Sequence, residues 1–397
     1  MMTSRRVCLA AGGAVASASL AFTSSRRADS ENAKIGHRVT LTSVAENFRT
    51  EAWAAKGENW AVTKRTLHGG RQEGVDEIEV QSGPLTFTVL PTRGMSIGRV
   101  SIGGTPLGWQ SPVREAVHPR AVDLQDFSGL GWLTGFNEWL VRCGVSFAGH
   151  PGVDDGRLLT LHGRIGNLPA SEVEVIVDEA PPHRIRVRGR VDEAMFKFCD
   201  FELWTEVSTV PGSLELTISD VLKNKASYPK EYEMIYHTNF GAPLLQQGTR
   251  FVIGPNAAVT PFNADAAAEL ADWKTFKGPT KGYGETVYCV TPKADAHGFV
   301  RVALVDAAGT CGVGLRYTAG TLPVFNLWKN TDLDECHGYV TGLEPGTNFA
   351  YNRAKERAAG RVRQLGPLEE VSFGLTFTFL RGAEEVRAAM EEVARCG

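Results

Sequence analysis

From Val39 onward, the strongest signal in this 397-residue chain is polar–apolar alternation with a period of two. Arg184-Ile185-Arg186-Val187-Arg188 and Glu172-Val173-Glu174-Val175 alternate at every step, as do residues 213–219 and 372–379. Successive side chains of a strand point to opposite faces, so such runs bury one face and wet the other. Turn signals such as Ser82-Gly83-Pro84, Pro211-Gly212 and Glu344-Pro345-Gly346 punctuate them, within a total of 43 glycines and 19 prolines. Helical spacing is confined to residues 263–273 and 382–395; in the second, Val386, Met390 and Val393 share a face. No 20-to-50-residue repeat and no linker divides the body. The expected fold is all-β, a large antiparallel β-sandwich over residues 39–395 closed by a short C-terminal helix. Residues 109–151 are rich in glycine and aromatics without periodicity, which predicts a long loop framing a site.

Composition narrows the partners. Charged residues make up 22% of the chain and the formal net charge is −3. A nucleic-acid binder needs a clustered basic face, so no nucleic-acid partner is expected. The seven cysteines are scattered, with no Cys-x-x-Cys pair, which argues against a zinc ribbon or a thioredoxin-type site. At the N-terminus, Arg5-Arg6 precedes an apolar, small-residue run from Leu9 to Phe22. That order reads as a twin-arginine signal peptide with its linker over residues 1–34. The run is too short and too rich in Ala, Gly and Ser to span a bilayer, so no stable membrane insertion is expected once the leader is removed. The expected location is periplasmic or secreted.

Three segments put a titratable group at or near a strand-to-turn junction, where a rigid scaffold presents it to a cleft. They are His162-Gly163-Arg164, then Tyr236-His237-Thr238-Asn239-Phe240-Gly241 at the end of an apparent strand, then Gly342-Leu343-Glu344-Pro345-Gly346-Thr347. Singly, a strand-end histidine is more often structural than catalytic. In this order on an all-β chain, the three resemble the aldose 1-epimerases, the galactose mutarotases. Together with Pro91-Thr92-Arg93-Gly94-Met95, they are most similar to an uncharacterised branch of that superfamily. The resemblance covers nearly everything after the leader.

The resemblance implies a galactose mutarotase-like supersandwich that binds a small-molecule sugar and interconverts its anomers without a cofactor. Glu344 then matches the general base, ionised at the start, and His237 the general acid, protonated at the start. His162 matches a helper that hydrogen-bonds the sugar, and Arg142 a substrate-binding arginine. Arg93, Asn239, Glu285, Trp328 and Lys329 are further candidates for contact with the sugar, with Glu285 in the role of an additional acidic ligand. Trp132, Trp139 and Trp328 offer flat platforms for sugar C–H faces. One departure concerns Arg164, a large cation where the family has a small residue.

Other chemistries stay open at this point. A binding protein would keep the cleft without turnover. An isomerase or lyase acting on a modified sugar would use the same groups, with a metal held by His162, His237, Glu344 and Glu285 or His150 as one variant. Glycoside hydrolysis needs two facing carboxylates, for which Asp332 and Asp334 are weak candidates. No Gly-x-Ser-x-Gly elbow or activated cysteine supports nucleophilic catalysis.

Overall fold

A computed structural model describes residues 36, 38–333 and 338–396. The leader expected over 1–34, together with Asp334 and Cys336, lies outside them. Two antiparallel sheets of ten and thirteen strands carry the architecture. The alternating runs become strands of the ten-stranded sheet: Glu172–Val177, Ile185–Met195, Glu215–Asn224 and Glu370–Arg381. In Ile185–Met195, Ile185, Val187 and Val191 are buried, while Arg186, Arg188 and Arg190 on the other face stay partly exposed. Each fully buried aliphatic or phenyl side chain contributes about 1.5–3 kcal/mol, so a one-residue slip would forfeit a whole face.

The thirteen-stranded sheet positions the site. Its middle strands run in the spatial order Thr286–Thr291, Val324–Asn330, Val340–Gly346, Lys230–Phe240 and Leu140–Val145. The Lys230–Phe240 strand is buried on both faces from Tyr232 onward. One face meets the other sheet; the opposite face lies under a loop segment that carries Trp132 and Phe136. A strand covered on both sides loses its polar–apolar alternation. His237 is therefore not at a strand end, as its sequence context suggested, but inside an eleven-residue strand. Glu344 likewise sits within Val340–Gly346 rather than in a solvated turn.

The helical expectations fall on an α-helix over Ala264–Ala268, capped by the Asn263 side chain, and another over Ala383–Ala394. In the second, Val386 and Val393 are buried against Ala303, Val305 and Leu380. No described helix is long and apolar enough to cross a membrane. The five described cysteines are all free.

Candidate functional site

Strand register brings the chemistry together. Thr238 pairs with Leu343 and Asn239 with Gly342, which sets His237 beside Glu344 on the neighbouring strand. His237 Nε2 lies 3.2 Å from Glu344 Oε1, and the two residues are only 5% and 2% exposed. Gly342 makes room for this arrangement, because a Cβ there would fall 2.2 Å from Glu344 Oε1. On the far side of Glu344, Asn326 occupies the paired position and is tied to the following loop by accepting the Ala350 N–H at 3.1 Å.

His162 reaches the pair from a turn rather than a strand. Its backbone is left-handed, with φ +57°, followed by Gly163 at φ +71°. Only glycine fits at 163, since a Cβ would come within 2.1 Å of the Phe147 carbonyl oxygen. The His162 ring centre lies 5.4 Å from that of His237 and 4.8 Å from Trp132. Phe136 and Trp328 stand 5.2 and 5.4 Å from the His237 ring. The pair is thus walled by aromatics, two of them on the loop segment anticipated from residues 109–151. At the outer edge, Trp328 donates its indole N–H to the exposed carboxylate of Glu285 at 3.0 Å.

Burial governs the electrostatics. Loss of water pushes the Glu344 carboxyl well above the usual carboxylate range, helped by the charge of Glu285. The same desolvation lowers His237 to about 4, against an opposing contribution from the Asn239 side chain. His162 is held well below its ordinary value by burial, then by His237 and His150. Desolvation thus favours the uncharged form of each group, an arrangement with the proton on Glu344 rather than on His237. This reverses the starting state inferred from the resemblance, and the reason is desolvation of both groups. Nδ1 of His162 makes no hydrogen bond within the protein, and the contact of Glu344 Oε1 is His237 Nε2 at 3.2 Å. A buried polar atom left unbonded costs about 1–3 kcal/mol, a cost that a ligand's hydroxyl would relieve.

Several sequence candidates stand elsewhere. Arg142 pairs with Tyr236, the residue next to His237, so it projects from the opposite face of the sheet. There its Nε and Nη2 donate to Asp220 at 2.5 and 3.0 Å, its Nη1 donates to the Met95 carbonyl at 2.9 Å, and it is fully buried. Substrate contact by Arg142 is thereby corrected to a tie between the two sheets. Lys329 also projects inward, donating to the Thr275 carbonyl at 2.8 Å, and its burial lowers it to about 8. Trp139 is core, 4.8 Å from Phe377, and offers no platform.

Arg93 is buried too. It donates to Glu138 at 2.7 Å and to the Gly135 carbonyl at 3.1 Å, and also bonds Asn167. It thus clamps the base of the segment that carries Trp132 and Phe136. Asn239 donates to the Glu138 carbonyl at 2.9 Å, fixing that base from the histidine strand. Arg164 turns away from the cleft to meet Glu193 at 3.2 Å, so the large cation does not crowd the pair. Cys143 shares the cleft face, but burial and the Glu344 charge push its thiol well above its ordinary value. Among the described residues, no three His, Cys, Asp or Glu side chains converge to hold a metal ion. Phe136 and Asn326 escaped the sequence reading; neither lies in a recognisable motif.

The family model for a domain of unknown function, DUF4432, matches residues 72–379. The chain belongs to the DUF4432 family. A candidate aldose 1-epimerase from Klebsiella pneumoniae is 42% identical to this DUF4432 protein. The match spans 91% of this chain and 96% of that one, with a TM-score of 0.88. A galactose mutarotase-like protein from Clostridium acetobutylicum shares the fold at 13% identity, over 82% of this chain and all of that one, with a TM-score of 0.54. The galactose 1-epimerase of Lactobacillus acidophilus does so at 12% identity over 81% and 99%, with a TM-score of 0.53. A comparison with curated proteins returned no match. The fold is galactose mutarotase-like.

Proposed function

We propose that this DUF4432 protein binds a reducing sugar and interconverts its anomers by opening and reclosing the ring. The observation that carries the reading is the buried His237–Glu344 contact of 3.2 Å with His162 beside it. Ring opening needs a base at the anomeric hydroxyl and an acid at the ring oxygen. As the hydroxyl proton leaves, the carbonyl forms, the C1–ring-oxygen bond breaks, and the ring oxygen takes a proton. The aldehyde turns about one bond, and the reverse steps close the other anomer.

One proton shared by the pair suffices. Sugar hydroxyls that hydrogen-bond Glu344 stabilise its ionised form, and its proton passes to His237. His237 then serves as the acid and Glu344 as the base, each worth roughly 10²-fold or more in rate. His162 Nδ1 meets a hydroxyl, Glu285 accepts from another at the rim, and Trp328 with Phe136 covers an apolar sugar face.

Two-dimensional exchange NMR on a panel of reducing sugars tests this, comparing wild type with Glu344→Gln and His237→Asn. Anomer exchange above the buffer rate, abolished in both variants, is the expected result. Ligand binding without acceleration for any sugar would replace the enzyme with a binding protein. We also propose export by the twin-arginine route, since Arg5-Arg6 stands before the apolar run. Substituting both arginines by lysine should retain the protein in the cytoplasm on cell fractionation.

A further inference from the structure

Of the thirteen large apolar side chains exposed among the described residues, eight fall on three loops that touch one another. Phe127, Leu130 and Leu133 lie on the loop leading to the site. Val153 and Leu158 lie on the hairpin of Gly152–Asp154 and Arg157–Leu159. Met195, Phe196 and Phe198 form the tip between the Ile185–Met195 and Cys199–Thr209 strands. Contiguity is set by close contacts. Gly129 sits so near the second loop that a Cβ there would lie 3.2 Å from Pro151 and 3.6 Å from Leu158. The Arg157 guanidinium stands 4.5 Å over the Phe198 ring, joining the second loop to the third.

Between these loops opens a cavity of about 630 Å³, lined by Leu124, Leu158, Met195 and Phe198 among others. Phe196, at 86% exposure, projects from the hairpin tip beside it. The patch therefore holds both a knob and a hole. Taking roughly 150–250 Å² for a bare aromatic side chain, Phe127, Phe196 and Phe198 alone leave on the order of 400 Å² of surface, and the five aliphatic side chains extend it toward the roughly 800 Å² that one partner buries in a standard interface. Soluble monomers rarely leave a contiguous apolar patch of that size uncovered.

We propose that this face is the two-fold interface of a homodimer, with each Phe196 entering the partner's cavity. A two-fold axis brings a patch against its own copy, so the patch must complement itself in shape and charge. Arg157 and Lys230 share the cavity lining with Asp123 and Asp154, a mixture of signs that does not repel its own image. The dimer would also cover Leu130 and Leu133, which flank Trp132, and so press the outer side of the segment that walls the catalytic pair.

Sedimentation velocity of the purified full chain across the micromolar range tests the assignment. Wild type should sediment at twice the 43.0 kDa of one chain. Phe196→Glu and Leu158→Glu should each weaken the dimer about 30-fold or more, since a charge placed in an interface core has no partner there. Val44→Glu, an exposed position on the turn between the strands Arg38–Ser43 and Phe48–Arg49 and away from the cavity lining, should leave the dimer intact. Phe196 packs little of its own chain, so thermal unfolding of its variant should match wild type at a concentration where both are monomers. A wild-type chain that stays monomeric, or a dimer that persists in both patch variants, would overturn the proposal. Monomers that partition onto lipid vesicles through Phe196 would assign the face to a membrane surface and overturn it equally.

Discussion

The histidine strand carries two buried polar clusters, one on each face, and they are opposites. On the inner face, Tyr236 donates to Asp220 at 2.8 Å, and Asp220 also receives the Arg142 guanidinium. Burial alone would lower Arg142, but Asp220 outweighs it and holds the guanidinium above its ordinary value. Opposite charges cancel there, and the cluster joins the two sheets. On the outer face, His237 and Glu344 are as deeply buried, yet no opposite charge holds either in its ionised form. Burial then raises the proton affinity of Glu344 and lowers that of His237, inverting their ordinary order. A satisfied cluster stabilises and is inert; a frustrated one keeps a proton that is easy to move.

The contrast can be broken from the inner side first. Asp220→Ala leaves the Arg142 charge buried without a partner and should cost about 3–5 kcal/mol in urea unfolding. Tyr236→Phe removes one hydrogen bond and should cost only about 1 kcal/mol. On the outer side, Glu344→Gln and His237→Asn should each lower the anomer-exchange rate by about 10²-fold or more, with little loss of stability.

Titration sharpens the difference further. Exchange needs one proton on the pair, so kcat/KM should fall on the acid side with a midpoint near pH 4, where His237 gains a second proton for the pair. It should fall again on the alkaline side, as Glu344 loses the last one above the usual carboxylate range. For stability, a carboxyl raised on folding contributes fully below its unfolded pKa. That contribution is lost as pH rises through the folded value. The Tm of wild type should therefore drop toward alkaline pH relative to Glu344→Gln, in paired calorimetric scans. The smallest effect belongs to the rim: Glu285→Gln should raise KM a few-fold and leave kcat nearly unchanged, because Glu285 is exposed and touches Trp328 rather than the pair.

What was legible in the sequence follows from which strands have a wet face. Residues 184–188 alternate because one face of Ile185–Met195 meets solvent, so strand and face could both be read. Residues 230–240 have no wet face, and the alternation that would have marked their length is missing. That is why His237 read as a strand end. The three segments chosen for chemistry do meet in one cleft, because each holds a residue whose placement is local: Gly163 for the turn, Gly342 for clearance, and histidine beside a strand neighbour. Arg142 and Lys329 depend instead on cross-strand register, which a single sequence does not encode locally. Phe136 became visible only once the loop folded back over the sheet.

The facing of His237 and Tyr236 limits how this chain can change. Adjacent strand positions point opposite ways, so inserting or deleting one residue between Lys230 and Tyr236 would send the imidazole into the core and the phenol into the cleft. Both clusters would be lost in one event. Descendants of this sequence can therefore retune the cleft by exchanging side chains, and can vary freely in length only in the loops. A library built to alter what the cleft binds should randomise positions on the cleft face and keep the strand lengths untouched.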